Sequence, residues 1–522
     1  MKNYIYTFIC FASLNAQAQL FTKTLTEQNA VSISSAAVLR NGDLVIAATL
    51  SNDYLLIRTN PQGDVLWSQS EGNNDDHTIS KVIATIDSGF AACGSIGNRG
   101  YFAKFSKTNS ASFEKKFPFI STQACKATDI LQSGQTSYRM VGEATNDTFS
   151  TTIIPYMILN ESGGGTLGTC AQIYQNDVTA YPISAKRIIT QTTGVSIYHI
   201  IAGDITITAN RKGILLSKYA FSPSPPAFSY VKQILGPVSG KQLEFQDMSG
   251  TDDLSVYAIA ANIDNSTLLA TDGKGVVFYI NDAGSVQWAK QIAGVLIHKV
   301  IMNADKTVSV LGAIRDGSES YFAKLSATGA TLEQHSFASS SFKPRYTQLL
   351  KRGNGYYAIG VSNLSGGLLG NIVVAALDSA GNTACATSKG TQSITNFTYT
   401  TPNEFLAYYT KSVTPQSITY DGGTPFNPTA DLTCGVQTSI DDITTALNIK
   451  CYPNPANSIL NIDVEFDNNT EVIITSLLGN TLVRQTLNQG NNKLRVDEFA
   501  SGLYLLEFIR GSKRQVIRFN KN

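Results

Sequence analysis

The stretch Val276-Val277-Phe278-Tyr279-Ile280-Asn281-Asp282-Ala283-Gly284-Ser285-Val286-Gln287-Trp288 leads from an apolar strand through a tight turn into a strand ending on an aromatic residue. The same design returns at LLIRTNPQGDVLW (55–67), YFAKFSKTNSASF (101–113), PYMILNESGGGTL (155–167), LLSKYAFSPSPPA (215–227), YFAKLSATGATLE (321–333) and VVAALDSAGNTAC (373–385). Their turn column holds Gly63, Asn109, Gly163, Pro223, Gly284, Gly329 and Gly381, spaced about 45 to 60 residues apart. Gly and Asn suit it because a tight hairpin turn needs positive φ, which they reach at least cost. Pro223 cannot reach it, so the fourth unit has to turn differently.

Each copy follows a further apolar strand, often with a Gly near its end: GDLVIAATL (42–50), SGFAACGSI (88–96), YRMVGEA (138–144), YHIIAGD (198–204), SVYAIAAN (255–262), TVSVLGAI (307–314) and GYYAIGVS (355–362). A long period with several strands per unit is the signature of propeller blades rather than of a helical or leucine-rich solenoid. The repeats predict an all-β chain with a seven-bladed β-propeller over residues 19–390. The competing reading is a pair of ordinary β-sandwiches. Against it stand the shared turn column and four cations five residues before it, Arg58, Lys104, Lys218 and Lys324. Those cations read as strand-face residues with buried stems, not as a ligand site. A ring of blades needs its edges sealed. Residues 20–28, LFTKTLTEQ, resemble the strand after each turn and are expected to supply the outermost strand of the last blade. Residues 391–434 carry further strand-like pieces (SITNFTY, EFLAYYT, QSITY) and are expected to close or brace that blade.

Over the 522 residues, 40 Lys and Arg balance 39 Asp and Glu, and only 15% of residues are charged. Without a basic footprint, nucleic acid is not expected as a partner. No apolar run reaches the roughly eighteen residues of a transmembrane span. The N-terminus carries Lys2, an apolar stretch from Tyr4 to Leu14, and Ala16-Gln17-Ala18, the small-x-small pattern of signal-peptidase cleavage. Residues 1–18 therefore read as a signal peptide cut at Ala16 and Ala18, the alternative being a buried first strand. Cys10 lies inside that stretch, without a lipoprotein processing box before it.

Export permits disulfides among Cys93, Cys125, Cys170, Cys385, Cys434 and Cys451. The favoured pairs are Cys125 with Cys170 and Cys385 with Cys434, each within or just beyond one repeat. A metal site has no support, since there is no CxxC and no His near the cysteines. The four histidines, His77, His199, His298 and His335, lack a second ligand at metal spacing. No G-x-S-x-G elbow is present. The conspicuous carboxylate pairs are Asp75-Asp76 and Asp252-Asp253; adjacent acids in Gly- and Asn-rich loops are ordinarily solvated turn residues. Tyr54, Tyr230, Tyr346 and Tyr356 are candidates to stack on a sugar or peptide, the ordinary alternative being sheet packing.

From Ser458 the pattern sharpens. Leu460, Ile462, Val464 and Phe466 alternate with polar residues, and four more strand patterns follow, separated by Asn- and Gly-rich turns. About seventy-five residues with this many strands suit a small Ig-like sandwich. Pro453 and Pro455 enforce an extended entry to it.

Residues 449–522 resemble, from start to finish, the type A C-terminal sorting domain of type IX secretion cargo. The resemblance rests on YPNPANSILNI, SLLGNTLVRQ, VDEFASGLYLLEFIRG and the basic tail RQVIRFNKN. The matched positions are Pro453, Asn454, Pro455, Gly479, Gly502, Tyr504 and Lys521. It implies a Sec-exported protein, with the type IX translocon and a sortase-like peptidase as partners, that is released or attached to the outer cell surface. Residues 435–448 read as the linker. The repeats in turn resemble the diverged propeller units of exported proteins of Bacteroidetes-type bacteria. They approach the tryptophan-docking blades of quinoproteins only at AALDSAGNTAC and YINDAGSVQW, so no quinone or other cofactor is expected. Together these readings predict a secreted or cell-surface propeller that binds an extracellular glycan or protein without catalysing a reaction. The alternative is a polysaccharide-active enzyme, a glycoside hydrolase or lyase, with a carboxylate pair at the propeller face.

Overall fold

A computed structural model of the chain contains, among the described residues, strands and connections but no helix. It describes residues 20–435 and 449–522, apart from connections such as 72–76, 118–124, 161–167, 176–181, 264–273 and 363–369. The predicted signal peptide, with Ala16 and Ala18, and all of the linker but Gly435 lie outside the described residues. The chain divides into two compact units, Met1–Val436 and Gln437–Asn522.

Strands of the first unit succeed one another as antiparallel meanders. The first is β1 (Phe21–Val38), β2 (Leu44–Leu50), β3 (Asp53–Thr59) and β4 (Val65–Glu71). There follow β5 (His77–Ala84), β6 (Phe90–Ile96), β7 (Arg99–Phe105) and β8 (Ala111–Phe117). Next come β9 (Cys125–Gln132), β10 (Ser137–Asn146), β11 (Thr151–Asn160) and β12 (Gly168–Gln175). Then β13 (Arg187–Thr193), β14 (Ser196–Thr208), β15 (Arg211–Ala220) and β16 (Ala227–Ile234). The next comprises β17 (Leu243–Gly250), β18 (Val256–Ile263), β19 (Lys274–Asn281) and β20 (Val286–Ala293). It is followed by β21 (Val295–Met302), β22 (Val308–Ile314), β23 (Glu319–Leu325) and β24 (Thr331–Phe337). The last has β25 (Pro344–Arg352), β26 (Gly355–Ser362) and β27 (Gly370–Leu377). Its fourth strand is the start of β1, where Phe21 to Leu25 pair with Ala376 to Ile372, while the end of the same strand pairs with β2. One strand thus joins the last meander to the first, as LFTKTLTEQ suggested.

Each meander packs face to face on the next. Val45, Ala47 and Leu56 meet Phe90, Ala92 and Ala103, and the sequence of shared cores runs on until Tyr357, Ile359 and Val374 of the last meander meet Ile46, Leu44 and Ile57 of the first. Middle strands are therefore apolar on both faces, as in Phe90–Ile96 and Val308–Ile314, instead of alternating. Each fully buried Leu, Ile, Val or Phe contributes about 1.5–3 kcal/mol. The turn column serves the same interfaces. Gly63, Asn109, Gly284, Gly329 and Gly381 all have positive φ, whereas Gly163 and Pro223 lie outside the described residues. A Cβ on Gly381 would come within 2.2 Å of the Phe322 ring in the preceding meander. The cation column stitches interfaces too: Arg58 donates to Asp43 at 2.9 Å, to the Lys107 carbonyl at 2.7 Å and to Asn109 at 2.8 Å, the last two in the next meander.

The segment after β27 departs from expectation, because it braces far more than the last meander. Its strands are β28 (Ser388–Lys389), β29 (Ile394–Asn396), β30 (Leu406–Val413), β31 (Gln416–Ser417), β32 (Thr424–Pro425) and β33 (Thr429–Gly435). In that order they pair with β24, β20, β12, β8, β4 and the start of β1. Between β29 and β30, Thr400 bridges Leu235, just after β16. The chain therefore returns along the outer edge of every meander in reverse order and satisfies edges that would otherwise stay open. Cys385, where this belt starts, is disulfide-bonded to Cys434, where it ends.

The favoured Cys125–Cys170 pair is not formed. Cys125 is free and buried on β9, at one edge of its sheet, whereas Cys170 lies on β12, with β10 and β11 between them. Cys93 and Cys451 are also free.

The second unit holds β34 (Ile449–Tyr452), β35 (Ile459–Val464), β36 (Thr470–Ser476), β37 (Thr481–Leu487), β38 (Gly490–Arg495), β39 (Gly502–Arg510) and β40 (Lys513–Lys521). One sheet has the order β34-β35-β38 and the other β37-β36-β39-β40. Leu460, Ile462 and Val464 from the first meet Val472, Ile474, Leu506 and Phe508 from the second in one core. Leu460, Ile462 and Val464 of the alternation read from the sequence are the buried face of β35, while Phe466 lies outside the described residues.

Candidate functional site

The first strands of the meanders, β1, β5, β9, β13, β17, β21 and β25, neighbour one another in that order, and β25 returns to β1. Nearly all carry an irregularity at one place. The register shifts between Ile33 and Ser35, Ile79 and Lys81, Phe245 and Asp247, Ile297 and Lys299, and Tyr346 and Gln348, and on β9 between Ala127 and Asp129. A bulge of this kind leaves one residue unpaired and re-aims the next. On β5, β9 and β25 it also pushes a backbone carbonyl at the second strand, where only Gly leaves room. A Cβ would sit 1.8 Å from the Thr78 oxygen at Gly94, 1.9 Å from that of Lys126 at Gly142, and 1.8 Å from that of Arg345 at Gly360. On β6, β10 and β26 the glycine near the end of the apolar strand is thus the counterpart of the bulge, whereas alanines stand opposite the bulges of β1 and β17.

The residues after these bulges, Ser35, Lys81, Asp129, Asp247, Lys299 and Gln348, are joined by Arg187 at the start of β13, whose pairing with β14 is regular. All of these except Ser35 line a cavity of about 440 Å³, which continues past Ser249, Met302 and Asn303 to Ala304 and Lys351. The ring is tied together across its strands. Ser35 Oγ accepts from Val82 N at 3.1 Å, Asp129 Oδ2 from Ile188 N at 2.9 Å, and Asp247 Oδ2 from Val300 N at 3.2 Å. Gln348 Nε2 donates to the Ile33 and Ser34 carbonyls at 3.3 Å, joining the last strand to the first. Arg187 lies between two carboxylates, 2.5 Å from Asp247 and 3.4 Å from Asp129. Lys81 and Lys299 stand farther off, 3.9 Å from Asp129 and 3.8 Å from Asp247.

Burial raises the pKa of the Asp247 carboxyl, but Arg187, Lys299, Lys81 and the Val300 N–H together outweigh it and hold the group below the usual carboxylate range. Burial, followed by repulsion from Arg187, pushes the Lys299 ammonium down to about 7. The same two effects lower Lys81. Burial drives His298, the bulge residue before Lys299, down to about 4, so it is neutral at pH 7. Such a site suits binding of a polar or charged ligand. An ionised Asp247 has no proton to give as a general acid.

The residues singled out in the sequence fall elsewhere. Asp75, Asp76 and Asp252 lie outside the described residues. Asp253 is an exposed turn residue whose Oδ1 accepts from Thr251 Oγ1 at 2.5 Å and Ser255 N at 3.0 Å. Tyr54, Tyr346 and Tyr356 are buried in the packing between meanders and offer no stacking surface; Tyr230 is half-buried, its hydroxyl 2.6 Å from that of Tyr257. Among the described residues no three His, Cys, Asp or Glu side chains gather as a metal site. The ring itself was not anticipated, although its signal is present. A polar residue, a ring residue and an apolar residue recur as SKV, TDI, KRI, QDM, HKV and TQL at 80–82, 128–130, 186–188, 246–248, 298–300 and 347–349.

The sorting positions converge. Asn454 Nδ2 donates to the Arg518 carbonyl at 3.1 Å and its Oδ1 accepts from Asn520 N at 2.8 Å. Ala456 bridges Lys521, which pairs with Gly502. Tyr504 stacks on Phe519 at 5.5 Å and donates to the Ala500 carbonyl at 2.7 Å. Pro453-Asn454-Pro455, Gly502, Tyr504 and Lys521 are thus gathered around β40, while Gly479 lies outside the described residues.

No curated protein matches the chain. Among solved structures it is similar to the Dos1 propeller, with 11% identity and a TM-score of 0.42 over 70% of this chain and 96% of that one. It is also similar to a protein from Lactobacillus plantarum, with 8% identity and a TM-score of 0.36 over 60% and 96%. Drosophila Plexin A in complex with Semaphorin 1b is a third, with 8% identity and a TM-score of 0.33 over 69% and 85%. Residues 450–521 match the family described as the secretion system C-terminal sorting domain. The chain is therefore an all-β protein with a type IX sorting tail, which points to secretion and attachment at the cell surface.

Proposed function

We propose that this is a non-enzymatic binding protein of the bacterial cell surface, built on a seven-bladed β-propeller whose axial cavity holds the ligand. Export runs through a type A sorting domain with an Ig-like sandwich fold, in a Bacteroidetes-type bacterium, after removal of residues 1–18. The meanders, packed face to face in a cycle that returns from β25 to β1, support the blade count. One observation carries the binding role: every blade but the first sends a polar or charged residue into the same cavity. Its carboxylates are engaged by Arg187, and this favours recognition over acid catalysis.

Screening the secreted protein on glycan and extracellular-protein arrays, beside chromogenic polysaccharides, tests the reading. Ala304 is an exposed turn residue at the edge of the cavity, so Ala304→Trp should block capture without disturbing the ring. Polysaccharide turnover lost in Asp129→Asn or Asp247→Asn would replace binding with catalysis. Deleting residues 446–522 should leave the protein unexported.

A further inference from the structure

Within the ring, Lys81, Arg187 and Lys299 face Asp129 and Asp247, three cations against two carboxylates, an excess of one positive charge. The remaining ring residues, Ser35 and Gln348, are uncharged. Among the groups packed behind the ring, His298 is neutral at pH 7, burial pushes the Cys93 thiol well above its ordinary value, and Lys186 is paired with Asp204 at 2.6 Å. At the edge of the cavity Lys351 hydrogen-bonds to Asn303 at 2.9 Å and lies over the Tyr356 ring, and Asp305 offsets part of its charge.

The cations are not equivalent. Arg187 is consumed by its two carboxylates. Among the described residues the ammonium groups of Lys81 and Lys299 make no hydrogen bond to protein, and their carboxylate neighbours lie beyond donor reach. Each ammonium carries three donors, here on the wall of a cavity large enough for a monosaccharide-sized molecule rather than a bare ion. Resting on the reading of the cavity as a ligand site, we infer that it takes a small organic monocarboxylate, recognised through its carboxylate by Lys81 and Lys299. A single negative charge neutralises the ring; a dianion would leave an excess negative charge beside Asp129 and Asp247. Burial and, after it, repulsion from Arg187 depress both lysines, and the same ligand would offset that repulsion.

Isothermal titration of the full secreted chain with sodium glucuronate and sodium acetate, against glucose and sodium sulfate at matched ionic strength, tests the inference. Glucuronate should bind at pH 6, acetate more weakly, and glucose and sulfate at least tenfold more weakly than glucuronate. Lys81→Met and Lys299→Met should each cost at least tenfold, while Lys299→Arg retains binding. Affinity in the unmodified protein should fall as pH rises past about 7, where Lys299 loses its proton, and stay level in Lys299→Arg. Ala304→Trp, outside the ring, should abolish binding and guards against a lysine variant that fails to fold. Equal binding of glucose that Ala304→Trp still blocks overturns the carboxylate and leaves the cavity as the binding site. Sulfate binding tighter than glucuronate overturns the single charge. Absence of binding by both carboxylates overturns the inference, and array capture untouched by Ala304→Trp overturns the cavity itself.

Discussion

Replacing both Cys385 and Cys434 by Ser should release the belt that runs along the outer edges of the blades. The bridge joins positions 49 residues apart. For a loop of that length, chain entropy lost by the unfolded state is worth about 4 kcal/mol. A unit ending at Val436 unfolds with an entropy of about 0.9 kcal/mol/K, so the melting temperature should fall by about 4–5 °C. The local effect should be larger than this figure implies, because β28, β31 and β32 are only two residues long and hold their blade edges by very few backbone hydrogen bonds. Scanning calorimetry with and without reductant, combined with limited proteolysis, would measure both effects. The intact protein in reductant should match the double variant, and new cleavage should appear between Cys385 and Cys434 before the blades are cut. An unchanged melting temperature together with unchanged cleavage would refute the idea that the belt is fastened by its ends.

Arg187→Met strands Asp129 and Asp247 without their shared cation, and chemical denaturation should show a loss of about 3–5 kcal/mol. Lys299 behaves oppositely. Its pKa is near 7 in the fold and close to 10.4 unfolded, so between those values the unfolded chain binds the extra proton and stability rises with pH. In Lys299→Met that rise across pH 7 to 10 should disappear, as melting at successive pH values would show. Gly360→Ala would bring a Cβ to 1.8 Å from the Arg345 carbonyl; overpacking of this kind should cost about 1–3 kcal/mol and displace Gln348, the ring's link to β1.

Asp253 and Asp247 show how unevenly a site is written in sequence. Asp253 was conspicuous because it sits beside another acid, yet it caps an exposed turn. Asp247 stood alone inside an unremarkable strand, and its importance comes from Arg187, sixty residues away. The first strand of each unit also escaped notice. On all of these strands but β13 a bulge breaks the alternation just before the ring residue, so no clean period of two marks it. The belt left still less trace, because its short strands attach through backbone hydrogen bonds that demand no particular side chains. The Cys125–Cys170 pairing failed for a related reason: proximity within one repeat says nothing of which edges of the sheet two cysteines occupy.

By itself the sequence determined the all-β class, the repeating unit and its positive-φ turns, the way the opening strand joins the last unit, and the sorting tail. Those features depend on local backbone preference and on contiguous motifs. Only the tertiary structure decided which residues meet on the axis, since Lys81, Asp129, Arg187, Asp247 and Lys299 come from five different strands and are gathered around one cavity, four of them just after a bulge. It alone decided as well that the segment after the last repeat encircles the others, because which open edge a strand finds depends on where the blades stand once they have packed.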